Sequence, residues 1–198
     1  MRKLKDILYK AAVNKIYGDT DVVINNIQFD SRLVQKNDLF VAQKGVTVDG
    51  HQFIEKALNL GATVIVCESI PADKKEGVTY VEVDDSNVAL AIMAANFYEN
   101  PSSKLQLVGV TGTNGKTTIA TLLYQLFKKA GYKVGLLSTV KIMVADETHK
   151  ATHTTPNSLA INKYLSLMID AGVEYCFMEV SSHGIHQKRT EGLVFAGG

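Results

Sequence analysis

Hydrophobic and polar positions alternate along the chain with two different periods, and the switches between them mark out the elements. Residues 22–29, 38–42, 63–66 and 80–83 are short runs rich in β-branched and aromatic side chains, and they predict strands. Residues 51–60 place Phe53, Ile54, Ala57 and Leu58 on one face at helical spacing and predict a helix. A second helix is expected over residues 86–98, carrying Val88, Leu90, Ile92, Met93 and Phe97. It stops at Asn100-Pro101-Ser102-Ser103, because proline holds its predecessor out of the helical region and Asn and Ser favour turns. That break predicts a domain boundary, with residues 1–100 before it and 101–198 after it.

The later segment opens with an apolar strand at residues 105–110, a glycine-rich turn and then a helix. The helix carries Ile119, Leu122, Leu123, Leu126, Phe127 and Ala130 in the spacing of one buried face. Gly131 closes it and residues 133–138 resume as a strand, so a right-handed crossover is expected. Another helix at residues 158–171 stops at Gly172 and feeds a strand at 174–180. The expected class is α/β: a small α/β domain followed by the first part of a parallel-sheet domain. An open parallel sheet needs more strands and covering helices than residues 105–180 supply, so further polypeptide is expected to complete it.

Composition narrows the function classes. Of 198 residues 46% are hydrophobic, and 21 Lys+Arg stand against 20 Asp+Glu, which is ordinary for a globular protein. The cations are scattered among acids, so no nucleic-acid partner and no anionic membrane surface is expected. No apolar run approaches the roughly 20 residues needed to cross a bilayer. No apolar stretch of signal-peptide length follows Arg2, Lys3 and Lys5, and the expected location is cytoplasmic. Cys67 and Cys176 lie in separate apolar runs without metal-ligand spacing and read as buried free thiols.

The strongest chemical signal is Thr111-Gly112-Thr113-Asn114-Gly115-Lys116-Thr117-Thr118, between a predicted strand and a predicted helix. Glycines let backbone N–H groups turn toward phosphate oxygens, and the positive end of the following helix points at the same place. Lys116 adds a full charge for the β and γ phosphates, and Thr117 offers a hydroxyl suited to Mg²⁺. The general G-x-x-x-x-G-K-[ST] pattern is met in variant form, with Val110 at its first glycine position.

Glu179 ends the apolar strand Tyr175-Cys176-Phe177-Met178 and is followed by Ser181, Ser182 and His183. An acidic residue there either assists Mg²⁺ or is a solvated strand end, and His183 is a ligand, a base or polar lining. Thr152-His153-Thr154-Thr155-Pro156-Asn157 reads as a helix cap or as a set of hydroxyls and amides for an anionic or sugar ligand. Phe29-Asp30-Ser31-Arg32 reads as a turn closed by side-chain hydrogen bonds.

Taken together these stretches resemble the Mur ligases, the ATP-dependent amino-acid-adding enzymes of peptidoglycan synthesis. The stretch from Val108 to Thr118 is similar to that family's own phosphate loop, which accounts for Val110. Met178-Glu179-Val180-Ser181-Ser182-His183-Gly184 with Gln187 and Arg189 resembles the branch that adds the third residue. So do Asp30-Ser31-Arg32, Asp38-Leu39-Phe40-Val41-Ala42 and the stretch from Gly45 to Gly50.

The resemblance implies that the loop from Thr111 to Thr118, with Lys116, binds ATP and that Thr117 and Glu179 hold Mg²⁺. It implies that the UDP end of the substrate sits in the first domain near Ser31 and the Val46-Thr47-Val48 turn. Thr154, Thr155, Ser181, Gln187 and Arg189 are implied to contact the muramoyl-dipeptide part, and His153 stands where the family commonly has a polar residue such as Asn. The implied reaction joins the D-Glu carboxylate of UDP-N-acetylmuramoyl-L-alanyl-D-glutamate to a diamino acid, diaminopimelate before lysine, through an acyl phosphate. Family members are longer, with a second metal-binding segment, a modified lysine and an amino-acid-selecting loop further along. A monomer without turnover of its own is therefore expected. Two other readings use the same residues: another ligase of the superfamily, such as the next Mur enzyme or a folylpolyglutamate synthetase, and a non-catalytic nucleotide or UDP-sugar binding module.

Overall fold

The computed structural model describes every residue except Val46, Thr47 and Thr152. It contains two compact units, Met1–Phe97 and Tyr98–Gly198.

In the first unit, β1 (Arg2–Lys3) leads into the short helix α1 (Leu4–Ile7), then β2 (Val13–Tyr17), β3 (Val23–Ile24) and β4 (Ile27–Gln28). After β5 (Leu39–Val41) come α2 (Ile54–Asn59), β6 (Val64–Cys67), β7 (Thr79–Val83) and α3 (Ser86–Phe97). The main sheet has the order β2-β7-β6-β5-β4. Strands β4 to β7 run parallel and β2 is antiparallel at the edge. The parallel strands β5 and β6 are wholly buried and read as continuous apolar runs, as two-sided strands do. Ile54 and Ala57 of α2 pack with Phe40, Ile65 and Tyr80 in one core cluster.

The single strand expected over residues 22–29 is two. β3 pairs with β1 in a separate two-stranded ribbon, whereas β4 joins the main sheet beside β5. Asn25 and Asn26 make the break, because their backbones bond out to Asn37 and Leu39. The helix expected over residues 51–60 begins as a 3₁₀ turn at Gly50–Phe53 before α2 takes over.

The second unit begins with a 3₁₀ turn, Pro101–Ser103, whose entry residue Asn100 adopts φ 52°. There follow β8 (Gln106–Val110), α4 (Lys116–Lys129), β9 (Val134–Leu137), β10 (Lys141–Val144), β11 (Glu147–Lys150), α5 (Ser158–Asp170), β12 (Tyr175–Glu179) and α6 (Ser182–His186). The sheet order is β11-β10-β9-β12-β8. β12 lies between β8 and β9, parallel to both, and the hairpin β10–β11 extends the sheet antiparallel. Beyond β8, Gly197 pairs in parallel with Val108.

Helix α4 packs through a face that only partly overlaps the one its sequence pattern suggests. Ala120 and Tyr124 are buried and Leu123 and Phe127 pack beside them, while Ile119, Leu122 and Leu126 stay exposed at 49%, 55% and 61%. Two things turn the helix this way. Ala120 is small enough for close approach to the sheet, and Phe127 stacks within 4.8 Å and 5.1 Å of the Tyr175 and Phe177 rings of β12. Ile119, Leu122 and Leu126 therefore form an apolar stripe along one flank of the helix.

Candidate functional site

The carboxyl ends of β8, β9 and β12 meet at one edge of the second sheet, which is where open α/β sheets bind ligands. From β8 the chain turns through the exposed residues 111–115 into α4. Gly112 at φ 139° and Gly115 at φ 83° occupy backbone regions that strain any residue with a Cβ, so the turn requires glycine at both points. Lys116 opens α4, and its Nζ donates to the carbonyl of Gly112 at 2.7 Å and to that of Thr113 at 3.4 Å. The amine is thereby folded over the loop that its helix extends.

Thr117, one residue further, donates its hydroxyl to Oε2 of Glu179 at 3.0 Å. Glu179 is the last residue of β12 and is fully buried. Among the described residues its carboxylate accepts from three neutral groups: the Thr117 hydroxyl, the Thr139 hydroxyl at 3.0 Å on Oε2, and the Thr139 backbone N–H at 2.8 Å on Oε1. Thr139 follows β9 after Ser138. Among the described residues no lysine, arginine or histidine forms an ion pair with Glu179.

A buried carboxylate met only by neutral donors carries an uncompensated charge, and a cation would remove it. Among the described residues no cluster of three or more His, Cys, Asp or Glu is present. The donor set is one carboxylate and one hydroxyl at a phosphate-type loop. That suits Mg²⁺, which keeps most of its waters and takes the rest of its ligands from phosphates. Glu179 and Thr117 therefore fit the ion.

Beside Glu179 opens a cleft of ≈ 480 Å³ lined by Thr139, Ala151, His153, Thr154, Thr155, Ser181, His183, Gln187 and Arg189. Its wall is knitted together by Thr155. The Thr155 hydroxyl donates to the Glu179 carbonyl at 3.0 Å and accepts from the Ser181 N–H at 2.9 Å. Ser181 in turn caps α6, accepting from the Gly184 N–H at 3.0 Å. Gly184 is required there, because a Cβ would stand 2.8 Å from Thr155 Cγ2. Arg189 reaches across and donates to the Thr155 carbonyl at 2.5 Å, and to Gln187 Oε1 through Nε at 3.0 Å and Nη2 at 2.6 Å. Burial lowers the Arg189 pKa, and among the described residues no carboxylate pairs with it. The cleft thus presents a half-buried guanidinium held by neutral acceptors, a fit for an anionic group.

All the residues expected at the nucleotide end, Thr111 to Thr118 with Glu179, converge on this edge. His153, Thr154, Thr155, Ser181, Gln187 and Arg189 line the adjoining cleft. Asn157 caps α5, its side chain accepting from the Ala160 N–H, so the cap reading of that stretch holds alongside its place before the cleft. Thr139 is not among the residues that the sequence pattern points to; it stands just beyond a predicted strand end, a position that in a lone threonine carries no chemical restriction.

In the first unit, Asp30 caps the 3₁₀ turn Ser31–Leu33 and is paired with Arg32 Nη2 at 2.6 Å. Ser31 is buried. Lys44 and Asp49 are joined by a β-bridge, and the Gly50 N–H donates to Gln43 O at 2.9 Å. Val46 and Thr47, expected near the UDP end, lie outside the described residues, while Val48 is half exposed. Gln43 and Lys44 are fastened to the start of α3. Ser86 Oγ accepts from the Lys44 N–H at 2.9 Å and donates to Glu68 Oε1 at 2.8 Å, and Asn87 bonds both Gln43 and the Lys44 carbonyl. His51 contacts Asp49 through Nδ1 at 2.6 Å and accepts the Glu68 N–H on Nε2 at 2.9 Å, which places its proton on Nδ1.

Comparison with known proteins places this geometry. Residues 23–98 match the model of the Mur ligase family catalytic domain, and residues 110–198 match that of the Mur ligase middle domain. A curated relative from Cytophaga hutchinsonii, a UDP-N-acetylmuramoyl-L-alanyl-D-glutamate--2,6-diaminopimelate ligase, is 52% identical over 197 residues, covering 99% of this chain and 40% of its own length. The chain thus spans about two fifths of that relative. A solved structure of a ligase of the same name superimposes with TM-score 0.78 at 23% identity over 96% of this chain and 38% of its own. A MurF ligase from Thermotoga maritima in complex with ADP gives TM-score 0.53 at 27% identity, covering 82% of this chain and 33% of that one. Matched by two successive family models and by a closely similar relative along nearly its whole length, the chain belongs to the Mur ligase family.

Proposed function

We propose that this chain is the UDP-substrate-binding and nucleotide-binding portion of an ATP-dependent ligase. The ligase adds a diamino acid, diaminopimelate before lysine, to the D-Glu of UDP-N-acetylmuramoyl-L-alanyl-D-glutamate in peptidoglycan precursor synthesis. The observation that carries the proposal is the buried Glu179 carboxylate. It is bonded to the Thr117 hydroxyl of a glycine-rich loop and sits beside a cleft in which Arg189 lacks an acidic partner among the described residues. Residues 101–198 take the ATP part of the work and residues 1–100 the UDP end of the substrate. The relative's name specifies diaminopimelate, which favours it as the incoming amino acid.

In the reaction a carboxylate oxygen of the substrate forms a bond to the γ-phosphorus and the bond to ADP breaks, giving an acyl phosphate. The amine nitrogen then bonds to the acyl carbon, loses a proton and expels phosphate. Charge crowds at the γ-phosphoryl group in the first step, so the protein's task is positioning and electrostatic stabilisation rather than nucleophilic attack. Lys116 supplies a mobile point charge at the loop. Thr117 and Glu179 would hold Mg²⁺, which neutralises phosphate charge when bound. Arg189, its fork fixed by Gln187 and the Thr155 carbonyl, orients an anionic part of the substrate in the cleft.

The reading also places the protein in the cytoplasm, acting on small molecules as a monomer. Among the described residues no helix is long and apolar enough to cross a membrane. The deciding experiment is calorimetric titration with UDP-N-acetylmuramoyl-L-alanyl-D-glutamate, with UDP-N-acetylglucosamine for comparison. Preference for the muramoyl dipeptide is expected. Equal affinity for the two would reduce the chain to a UDP-sugar module, and absence of binding to either would remove the substrate assignment.

A further inference from the structure

Glu179 has two hydroxyl partners, and they are not equivalent. Thr117 belongs to the phosphate-type loop and, on the reading above, shares its hydroxyl with the cation. Thr139 belongs to neither the loop nor the helix that follows it. It comes from the end of β9, the strand that pairs with β12 through Leu137↔Met178. Its backbone is fixed by a closed turn, in which Ser138 Oγ donates to the Lys141 carbonyl at 2.8 Å and accepts the Lys141 N–H at 3.2 Å. From that base Thr139 holds both carboxylate oxygens of Glu179, one through its amide at 2.8 Å and the other through its hydroxyl at 3.0 Å. The same residue lines the cleft that contains Arg189.

We infer that Thr139 is a positioning residue for the metal-holding carboxylate, its amide and hydroxyl fixing the aim of Glu179 independently of nucleotide and cation. The inference rests on the proposed nucleotide and metal site and deepens it. A carboxylate that could rotate would offer the ion its two oxygens in turn and lose the geometry that Mg²⁺ demands. Two bonds from one rigid turn remove that rotation; they leave a lone pair free on Oε1, while the second on Oε2 is the one that the Thr117 hydroxyl occupies.

The test uses Mn²⁺ as a paramagnetic stand-in, with a non-hydrolysable ATP analogue and the 198-residue chain, and reads free Mn²⁺ by electron paramagnetic resonance. Thr139→Val keeps the shape and the amide but removes the hydroxyl, and it is expected to weaken Mn²⁺ in the ternary complex by about 10- to 100-fold. Affinity for the analogue without metal is expected to stay at the wild-type value, and Thr139→Ser is expected to restore Mn²⁺ affinity. If Thr139→Val does not melt as the wild type does, Thr139→Ala takes its place. Wild-type Mn²⁺ affinity in the hydroxyl-less variant, while Glu179→Gln loses the ion, overturns the role of Thr139 and leaves the site intact. Wild-type affinity in Glu179→Gln, or absence of Mn²⁺ binding by the wild-type complex, overturns the metal site and this inference with it.

Discussion

The two units build the same kind of edge, a row of parallel strand ends, and furnish it in opposite ways. In Met1–Phe97 the charges at that edge are answered from within. Arg32 holds the Asp30 carboxyl below the usual carboxylate range, the His51 N–H and ring do the same for Asp49, and Glu68, bonded to Ser86, faces the Lys44 ammonium at 4.0 Å. In Tyr98–Gly198 two charges have no opposite among the described residues: Glu179 is buried among hydroxyls and an amide, and the half-buried Arg189 lies against carbonyl oxygens. Closed polar networks define a shape, whereas open charges await a ligand that carries the missing sign. Recognition without charge transfer suits the first edge, and phosphoryl chemistry suits the second.

The contrast breaks if ligand binding and stability respond alike in the two units. The largest effect is expected from Lys116→Ala, with ATP-analogue affinity falling by about 10- to 100-fold because a charge-assisted contact is lost. The melting temperature should not move, since the exposed amine only bonds loop carbonyls; a clear drop would make Lys116 structural. Glu179→Gln should likewise leave the melting temperature unchanged or raise it, because it relieves a buried charge that no cation offsets. Destabilisation on calorimetric scanning would show that the carboxylate is compensated after all.

In the first unit the order reverses. Ser86→Ala strands the Lys44 N–H and removes one of the two donors to Glu68 Oε1, leaving the residue-86 N–H in place; it should cost about 1–3 kcal/mol, with amide exchange at Lys44 accelerating most. Unchanged exchange there would mean that Lys44 is held without the hydroxyl. A comparable loss of about 1–3 kcal/mol is expected from Gly184→Ala in the second unit, where the new methyl meets Thr155. Thermal unfolding checks it.

One thiol in each unit then reports its opening separately. Burial pushes the Cys67 pKa up to about 12, and the fully buried Cys176 is raised as well. Because the folded values lie above that of a free thiol, about 8.5, the associated stability is complete below pH 8.5 and is lost as pH rises toward 12. At pH 8 both thiols should react with a disulfide reagent only as fast as their strands open, and fast labelling of either would contradict its burial. The smallest effect is expected from Leu122→Lys on the exposed stripe of α4, within about 0.5 kcal/mol. Tyr124→Ala on the packed face should cost about 3–5 kcal/mol, and chemical denaturation of both variants reads the helix rotation directly.

That rotation shows where sequence patterning stops. Apolar spacing located α4 and included Leu123 and Phe127, which do pack, but it also took in Ile119, Leu122 and Leu126, because periodicity weighs side-chain hydrophobicity and not the close approach that Ala120 allows. The β10–β11 hairpin escaped notice for a related reason. Its turn passes through Ala145 at φ 50°, with no glycine or asparagine to announce it, and β11 reads Glu-Thr-His-Lys without alternation. The meeting of the loop, Lys116 and Glu179 at one sheet edge was legible because the motif restricts residue type and spacing together. Thr139 was not, since a lone threonine carries no such restriction and its partner lies 40 residues away in the chain.

β12 is flanked on both sides by parallel strands, and Glu179 is its last residue. To shift that acid the protein would have to shear two ladders at once, whereas the glycine loop facing it is exposed and bound chiefly through its own helix. Any displacement of the loop is then measured against a stationary reference mark, and the accuracy of the site is inherited from the stiffness of the sheet.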